Sequence, residues 1–303
     1  MPYDENFFAE ADANTTLCRI SDGSDVEMPL KTYEAEALSA VFTVDVDAAR
    51  KLIPVQDLKL CRVSPDRALA ALQFMDYRGK NIDRYQEVVV LLFVHKSPLV
   101  DIAPVSTFFT ESLPGMGYFI VHIGVSGDQA RRVGWDILGF PKFLAEISVV
   151  GDEQQVSGKA HKAGKSIFSL DIQKPPGYAD QRQDFSCYTI DPDSNRLYTI
   201  PYQYWASRGL VEGASSATLT LGDHEIADEI RALGLSEEAL FAQHVPNYAL
   251  ISNFPSERRS IGDWRDTRGV YREVALAKAG KLRGPAEYVV LDAPLPVAAG
   301  AET

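Results

Sequence analysis

Hydrophobic residues recur along this chain with the two-residue period of half-buried strands more often than with the helical period. The spacing predicts strands over residues 38–44, 68–75, 87–95, 119–125, 144–150, 154–160, 166–172, 196–204 and 217–221. Residues 87–95 are apolar on both faces, which argues for a central position in a sheet. Gly151-Asp152-Glu153 and Ala163-Gly164-Lys165 separate three of these runs and carry the turn chemistry of an antiparallel meander. Helices are fewer. Asp47 reads as the N-cap of a short helix over 48–52 that Pro54 stops. Residues 128–138 show helical spacing behind an acid, and that helix must end by Phe140 because Pro141 follows. A third helix is expected over 223–233, and Ser236 with Glu237 and Glu238 resembles the start of another helical turn. Residues 78–84 read as a polar connection, and the Pro-, Asp- and Gln-rich stretch after residue 172 as a loop. Strands come in runs and helices singly, so the fold class is mainly β (α+β), one antiparallel body with a few peripheral helices.

The first 27 residues hold seven acids and one base, with apolar residues in no period, and read as an acidic arm. About half of the formal net charge of −12 sits there. That charge argues against nucleic acid or an anionic membrane as a partner, while leaving room for an anionic small molecule in one pocket. The longest apolar run, residues 88–94, is far shorter than the ~20 residues a membrane helix needs. The N-terminal residues lack the basic and apolar segments of a secretory signal, so a cytoplasmic location is expected. Cys18, Cys61 and Cys187 are too dispersed for a metal knuckle or a redox pair and are expected as free thiols. No cofactor and no metal is expected. At 303 residues, 46% of them hydrophobic, the chain can bury a large core.

Several motifs dissolve on inspection. Gly158, Gly164, Lys165 and Ser166 imitate a phosphate loop, but five residues separate the glycines where that loop has four, and they sit in a hairpin. Gly115-Met116-Gly117 precedes a strand, where a dinucleotide loop follows one. His95, His122, His161, His224 and His244 have no metal-ligand spacing, and no GxSxG elbow exists. Lys142 stands out, set among Trp135, Ile137, Leu138, Phe140, Pro141 and Phe143. An amine so surrounded is desolvated, falls below the ~10.4 of free lysine and becomes nucleophilic towards carbonyls. The plainer alternative is a surface lysine whose stem lies on apolar neighbours. Glu87, opening an apolar strand, is either an edge residue facing water or a buried acid able to relay protons.

Residues 134–145 resemble the signature of the acetoacetate decarboxylase family, in which a glycine, a charged pair, an apolar pair and an aromatic lead into Pro-Lys. Residues 41–54 are similar to that family's early strand-helix-proline segment, Tyr85-Gln86-Glu87 to its Tyr-x-Glu, and Asp223-His224 with Phe254-Pro255 to its closing region. The resemblance spans about residues 30–255. It implies a cone-shaped antiparallel β barrel over 28–255, flanked by the arm 1–27 and a C-terminal extension 256–303, in a homo-oligomer. It also implies that Lys142 is a Schiff-base lysine faced by Glu87, with activation by desolvation or a neighbouring cation carried over from that family rather than read from the residues. Three departures stand out. Phe143 occupies the place of the family's second lysine, so activation by an adjacent cation is expected to be lost. Ala35 falls where spacing from Pro54 puts the substrate arginine, and Trp135-Asp136 replaces an Arg-Glu pair.

The expected substrate is a keto acid or ketone, bulkier than acetoacetate or aromatic. Phe140, Phe143, Trp135 and Met116 are candidates for the apolar wall, with Tyr85 and His122 beside them and Arg78 or Arg84 as a replacement anion contact. The outcome is either decarboxylation of a β-keto acid or an enamine that condenses with an aldehyde and loses water. Two other readings remain open: a barrel that binds a small molecule without chemistry, and a hydrolase or cyclase using acids and His122 without an imine.

Overall fold

The computed structural model describes residues 6–96 and 115–262, residues 268, 269 and 274, and the backbone of 289–290. Seven strands close into a barrel: β3 (Leu30–Asp45), β5 (Arg67–Lys80), β6 (Tyr85–His95), β7 (Gly117–Val125), β12 (Ala179–Asp191), β13 (Arg196–Glu212) and β15 (Phe241–Ser252). Every joint is antiparallel except β7 with β12, which run parallel. Gly117 permits that joint, because a Cβ there would lie 1.9 Å from the Ser186 carbonyl oxygen.

Outside the barrel lies a second antiparallel sheet, in the order β14 (Ala217–Leu221), β11 (Lys165–Gln173), β10 (Gln155–Lys162) and β9 (Glu146–Gly151). A hairpin of β1 (Thr16–Arg19) and β2 (Asp25–Met28) is extended by β17 (Val289–Val290). β4 (Lys59–Leu60), β8 (Phe143–Leu144) and β16 (Glu257–Ser260) pair with β6, β7 and β13. The helices are short: α1 (Ala9–Ala13), α2 (Val46–Arg50), α3 (Asp128–Val133) and α4 (Glu225–Ala232).

Strand alternation makes two cores from one barrel wall. Leu38, Ala40, Phe42 and Val44 point outward on β3, as do Val88, Val90 and Leu92 on β6, and pack under the outer sheet with Phe168 and Leu170. Ala37 and Val41 on β3, with Val89 and Leu91 on β6, point inward. Phe74 locks the layers together, its ring 5.0 Å from that of Phe168. Gly158 leaves the room for it, since a Cβ there would come within 2.3 Å of the Phe74 ring.

The structure corrects several expectations. β12 and β15 were not foreseen, and the region of β12 had read as a loop. Arg78 lies on β5 rather than in a connection, and Asp45 caps α2 in place of Asp47. Residues 128–138 form α3 followed by a π-helical turn, and Ser236 starts no helix. The N-terminal segment is not detached from the core: Phe7 and Phe8 are buried near Trp205, and Cys18, Ile20 and Val26 pack with the inner cluster. Most of the extension 256–303 lies outside the described residues.

The packing at Gly158 is testable. Gly158→Ala should cost about 2–3 kcal/mol of unfolding free energy in denaturant. Combined with Phe74→Leu, it should cost less than the two single losses together; additive losses would refute the contact.

Candidate active site

Lys142 owes its position to an irregular turn. α3 continues into the π-helical turn Gly134–Leu138, which ends at Gly139 with φ of 69°. The chain then doubles back, the Phe140 amide donating to the Gly134 carbonyl at 2.9 Å and the Lys142 amide to the Phe140 carbonyl at 2.8 Å. Trp135 Nε1 donates to the Lys142 carbonyl at 2.7 Å. Gly134 is required by closeness, because a Cβ there would lie 2.5 Å from Lys142 Cδ. β8 then carries the chain away beside β7.

Inside the barrel Lys142 Nζ donates to Glu87 Oε2 at 2.7 Å, and both side chains are only 7% exposed. Glu87 occupies the inward face of β6, so the buried-acid alternative holds and the edge alternative does not. The Tyr77 hydroxyl donates to the other carboxylate oxygen at 3.3 Å. The rings of Tyr85 and Phe140 lie 5.4 and 5.8 Å from the Lys142 nitrogen. Burial, and then the Glu87 charge, hold the phenols of Tyr77 and Tyr85 well above their ordinary range, so both remain protonated donors.

A second amine was missed by the sequence. Lys80, the last residue of β5, places Nζ 4.2 Å from the Tyr77 ring centre and 5.0 Å from that of Tyr85, and donates to the Tyr85 hydroxyl at 3.2 Å. Desolvation first, and then the Lys142 charge, push the Lys80 ammonium down to about 7. Loss of the lysine at position 143 therefore does not leave Lys142 without a neighbouring amine.

The pair stands at one end of a cavity of about 290 Å³ in the barrel. Glu87, Tyr77, Phe140, Cys187, Tyr202 and Tyr248 form this end of its wall, with Lys142 behind Glu87. Further along, Phe93, Tyr118, Phe185 and Tyr204 make an aromatic belt, with Phe185 stacked on Tyr202 at 5.2 Å.

Of the residues nominated from sequence, Lys142, Glu87, Tyr85, Phe140 and Met116 come together here. The others do not. Phe143 and Trp135 belong to the outer core, where Phe143 fills the space over Gly124. His122 lies outside the barrel and pairs with Glu229 of α4 at 3.0 Å. Arg78 and Arg84 bond Asp76, Arg78 also reaching Glu36, on the outward face of β5. Burial alone would raise the Asp76 carboxyl, but the bonds from Arg78 and Gln86 leave it below its ordinary range. Ala35 is fully buried and opposite Tyr77 and Tyr248, so no arginine occupies that place.

The acetoacetate decarboxylase (ADC) family model matches residues 20–254. The chain belongs to the acetoacetate decarboxylase family. Solved structures of family type agree on the fold. An acetoacetate decarboxylase from Legionella pneumophila is 13% identical with a TM-score of 0.57, over 76% of this chain and 88% of its own. Another acetoacetate decarboxylase is 17% identical with a TM-score of 0.56, over 77% and 89%. The enduracididine biosynthesis enzyme MppR, in a complex with pyruvate, is 15% identical with a TM-score of 0.54, over 78% and 91%. No curated protein matches the sequence significantly. Among the described residues, no group of three or more His, Cys, Asp or Glu is disposed to hold a metal, and no helix is long and apolar enough to cross a membrane.

Lys80 gives the site a pH signature within this family barrel. Its amine titrates at about 7 when folded and near ~10.4 when unfolded. Between these values the unfolded chain binds a proton that the folded one does not, so stability rises with pH. Its penalty is complete below pH ~7 and gone above pH ~10. Lys80→Met should raise Tm most at pH 6 and by progressively less towards pH 10. A gain that stays constant with pH would mean that the amine is hydrated.

Proposed function

We propose that the chain is a Schiff-base enzyme acting on a keto acid or ketone. The observation that carries this is the buried ion pair of Lys142 and Glu87 at the end of an aromatic cavity. Glu87 accepts a proton from the Lys142 ammonium along the 2.7 Å hydrogen bond. The freed amine adds to the substrate carbonyl, giving a carbinolamine. Loss of water, with protons relayed by Glu87, leaves an iminium at Lys142. The iminium draws in the electron pair of a breaking bond at the adjacent carbon, and an enamine results. If the broken bond led to a carboxylate, carbon dioxide leaves and the enamine is protonated on carbon. If it led to hydrogen, Glu87 takes the proton and the enamine carbon attacks an aldehyde, after which water is lost. Hydrolysis of the iminium releases product and restores Lys142.

Ala35 favours the second course, or decarboxylation of a substrate larger than acetoacetate, because it supplies no cation to hold a small carboxylate beside the lysine. MppR has been captured with pyruvate and with the condensation product of pyruvate and imidazole 4-carboxaldehyde, which supports the second course.

Incubation with pyruvate, acetoacetate and larger aryl keto acids, followed by borohydride and peptide mass mapping, should place one adduct on Lys142. Glu87→Gln should slow adduct formation by about 10²–10⁴-fold. With an adduct in hand, release of carbon dioxide separates decarboxylation from condensation. Absence of any adduct across the panel would sink the Schiff-base reading and leave a binding barrel, or a hydrolase that needs no imine.

A further inference from the structure

The cavity is polarised from end to end. Among its described lining residues, Glu87 is the one acid and Arg208 the one strong cation. They stand far apart. Tyr202, whose phenol is raised by burial and then by the nearness of Cys187 and Glu87, belongs to the lysine end. Arg208 comes six residues later on β13, roughly 20 Å along the strand at ~3.3 Å per residue. Leu210, beside it in the wall, is 43% exposed, so the Arg208 end is where the cavity meets solvent. The amides of Gln183 and Gln243 line the cavity with Arg208, and between the ends runs the aromatic belt. The Arg208 charge also acts on the Tyr204 phenol, where it partly offsets the rise caused by burial, so the guanidinium bears on the inner wall.

An arginine with amide donors near it is suited to a carboxylate, and an aromatic channel to an apolar or aromatic segment. We propose that the substrate is two-ended, with its reactive carbonyl at Lys142 and, across an apolar spacer, a carboxylate held by Arg208 with Gln183 and Gln243. The assignment of the carbonyl to the far end rests on the Schiff-base reading; carboxylate binding at Arg208 does not. This arrangement separates anion binding from the reacting carbon. An arginine beside the lysine would hold a short β-keto acid by its own reacting carboxylate, whereas Arg208 holds one remote from the carbonyl.

Calorimetric titration with octanoate and with octanamide, neither of which forms an imine, tests the Arg208 end by itself. Octanoate should bind about tenfold more tightly, the effect of one charge-assisted contact in a partly solvated mouth. Arg208→Gln should bring the ratio to about one, and Arg208→Lys should retain part of it. Equal affinities in the parent protein, no binding of either ligand at millimolar concentration, or a preference that survives Arg208→Gln in a folded variant would each overturn the proposal. The parent comparison can overturn the proposal even if a variant fails to fold. Borohydride trapping is read separately: a missing adduct strikes the Schiff-base reading, while the octanoate ratio still judges Arg208.

Discussion

Two opposite charges 2.7 Å apart, each on a side chain 7% exposed, hold together only where the surroundings make up for lost water. Desolvation costs several kcal/mol per ion, and the mutual attraction offsets it only with good geometry and further hydrogen bonds. Here the Tyr77 hydroxyl supplies the further bond to Glu87, and the rings of Tyr85 and Phe140 flank the lysine. Each partner arrives on a different element, and neither can shift without leaving the other unpaired. Closure of the barrel keeps water from the pair. The parallel joint of β7 and β12 needs Gly117 against the Ser186 carbonyl, and the lysine turn needs Gly134 against the Lys142 stem.

Tyr85 connects this pair to Lys80, since both ammonium groups lie over its ring and Lys80 also bonds its hydroxyl. Like charges that share one aromatic ring repel, and the less enclosed of the two feels that as well as its own desolvation. The negative face of the ring partly compensates both. The amine end of the cavity is thus two amines and one carboxylate wrapped in protonated phenols, while its mouth carries a cation of its own. One charged site inside a barrel can therefore attract an anion even though the chain as a whole is strongly negative.

Much of this was legible in sequence for reasons that can be traced. Outward residues of β6 and β3 meet the outer sheet and inward residues line a cavity, so both faces are apolar and the strands read clearly. Lys142 was conspicuous because a lysine among large apolar side chains is rare. β12 was hidden because its first half alternates exposed and half-buried polar residues, and its conformation comes from pairing along its whole length with β13. β15 carries Pro246 and Asn247 at a shift in its pairing with β3, which breaks the strand pattern. Trp135 and Phe143 were misassigned because composition counts neighbours without telling faces. Lys80 and Arg208 had no local signal, each owing its place to how a long strand lies across the barrel.

Position 143 shows how the alternation constrains the chemistry. Successive residues of a strand point to opposite faces, and Phe143 accordingly leaves the lysine for the outer core, buried above Gly124. A lysine placed there in this backbone would set its ammonium among Val88, Trp135 and the outer sheet rather than beside Lys142. The neighbouring cation comes instead from Lys80 at the end of β5, where the pairing of β3 with β5 is irregular around Gly79 and the amine reaches over Tyr77 and Tyr85. The same reasoning separates the two cationic positions in the barrel: Lys80 shares an aromatic ring with Lys142, whereas Arg208 lies along β13 where the wall opens.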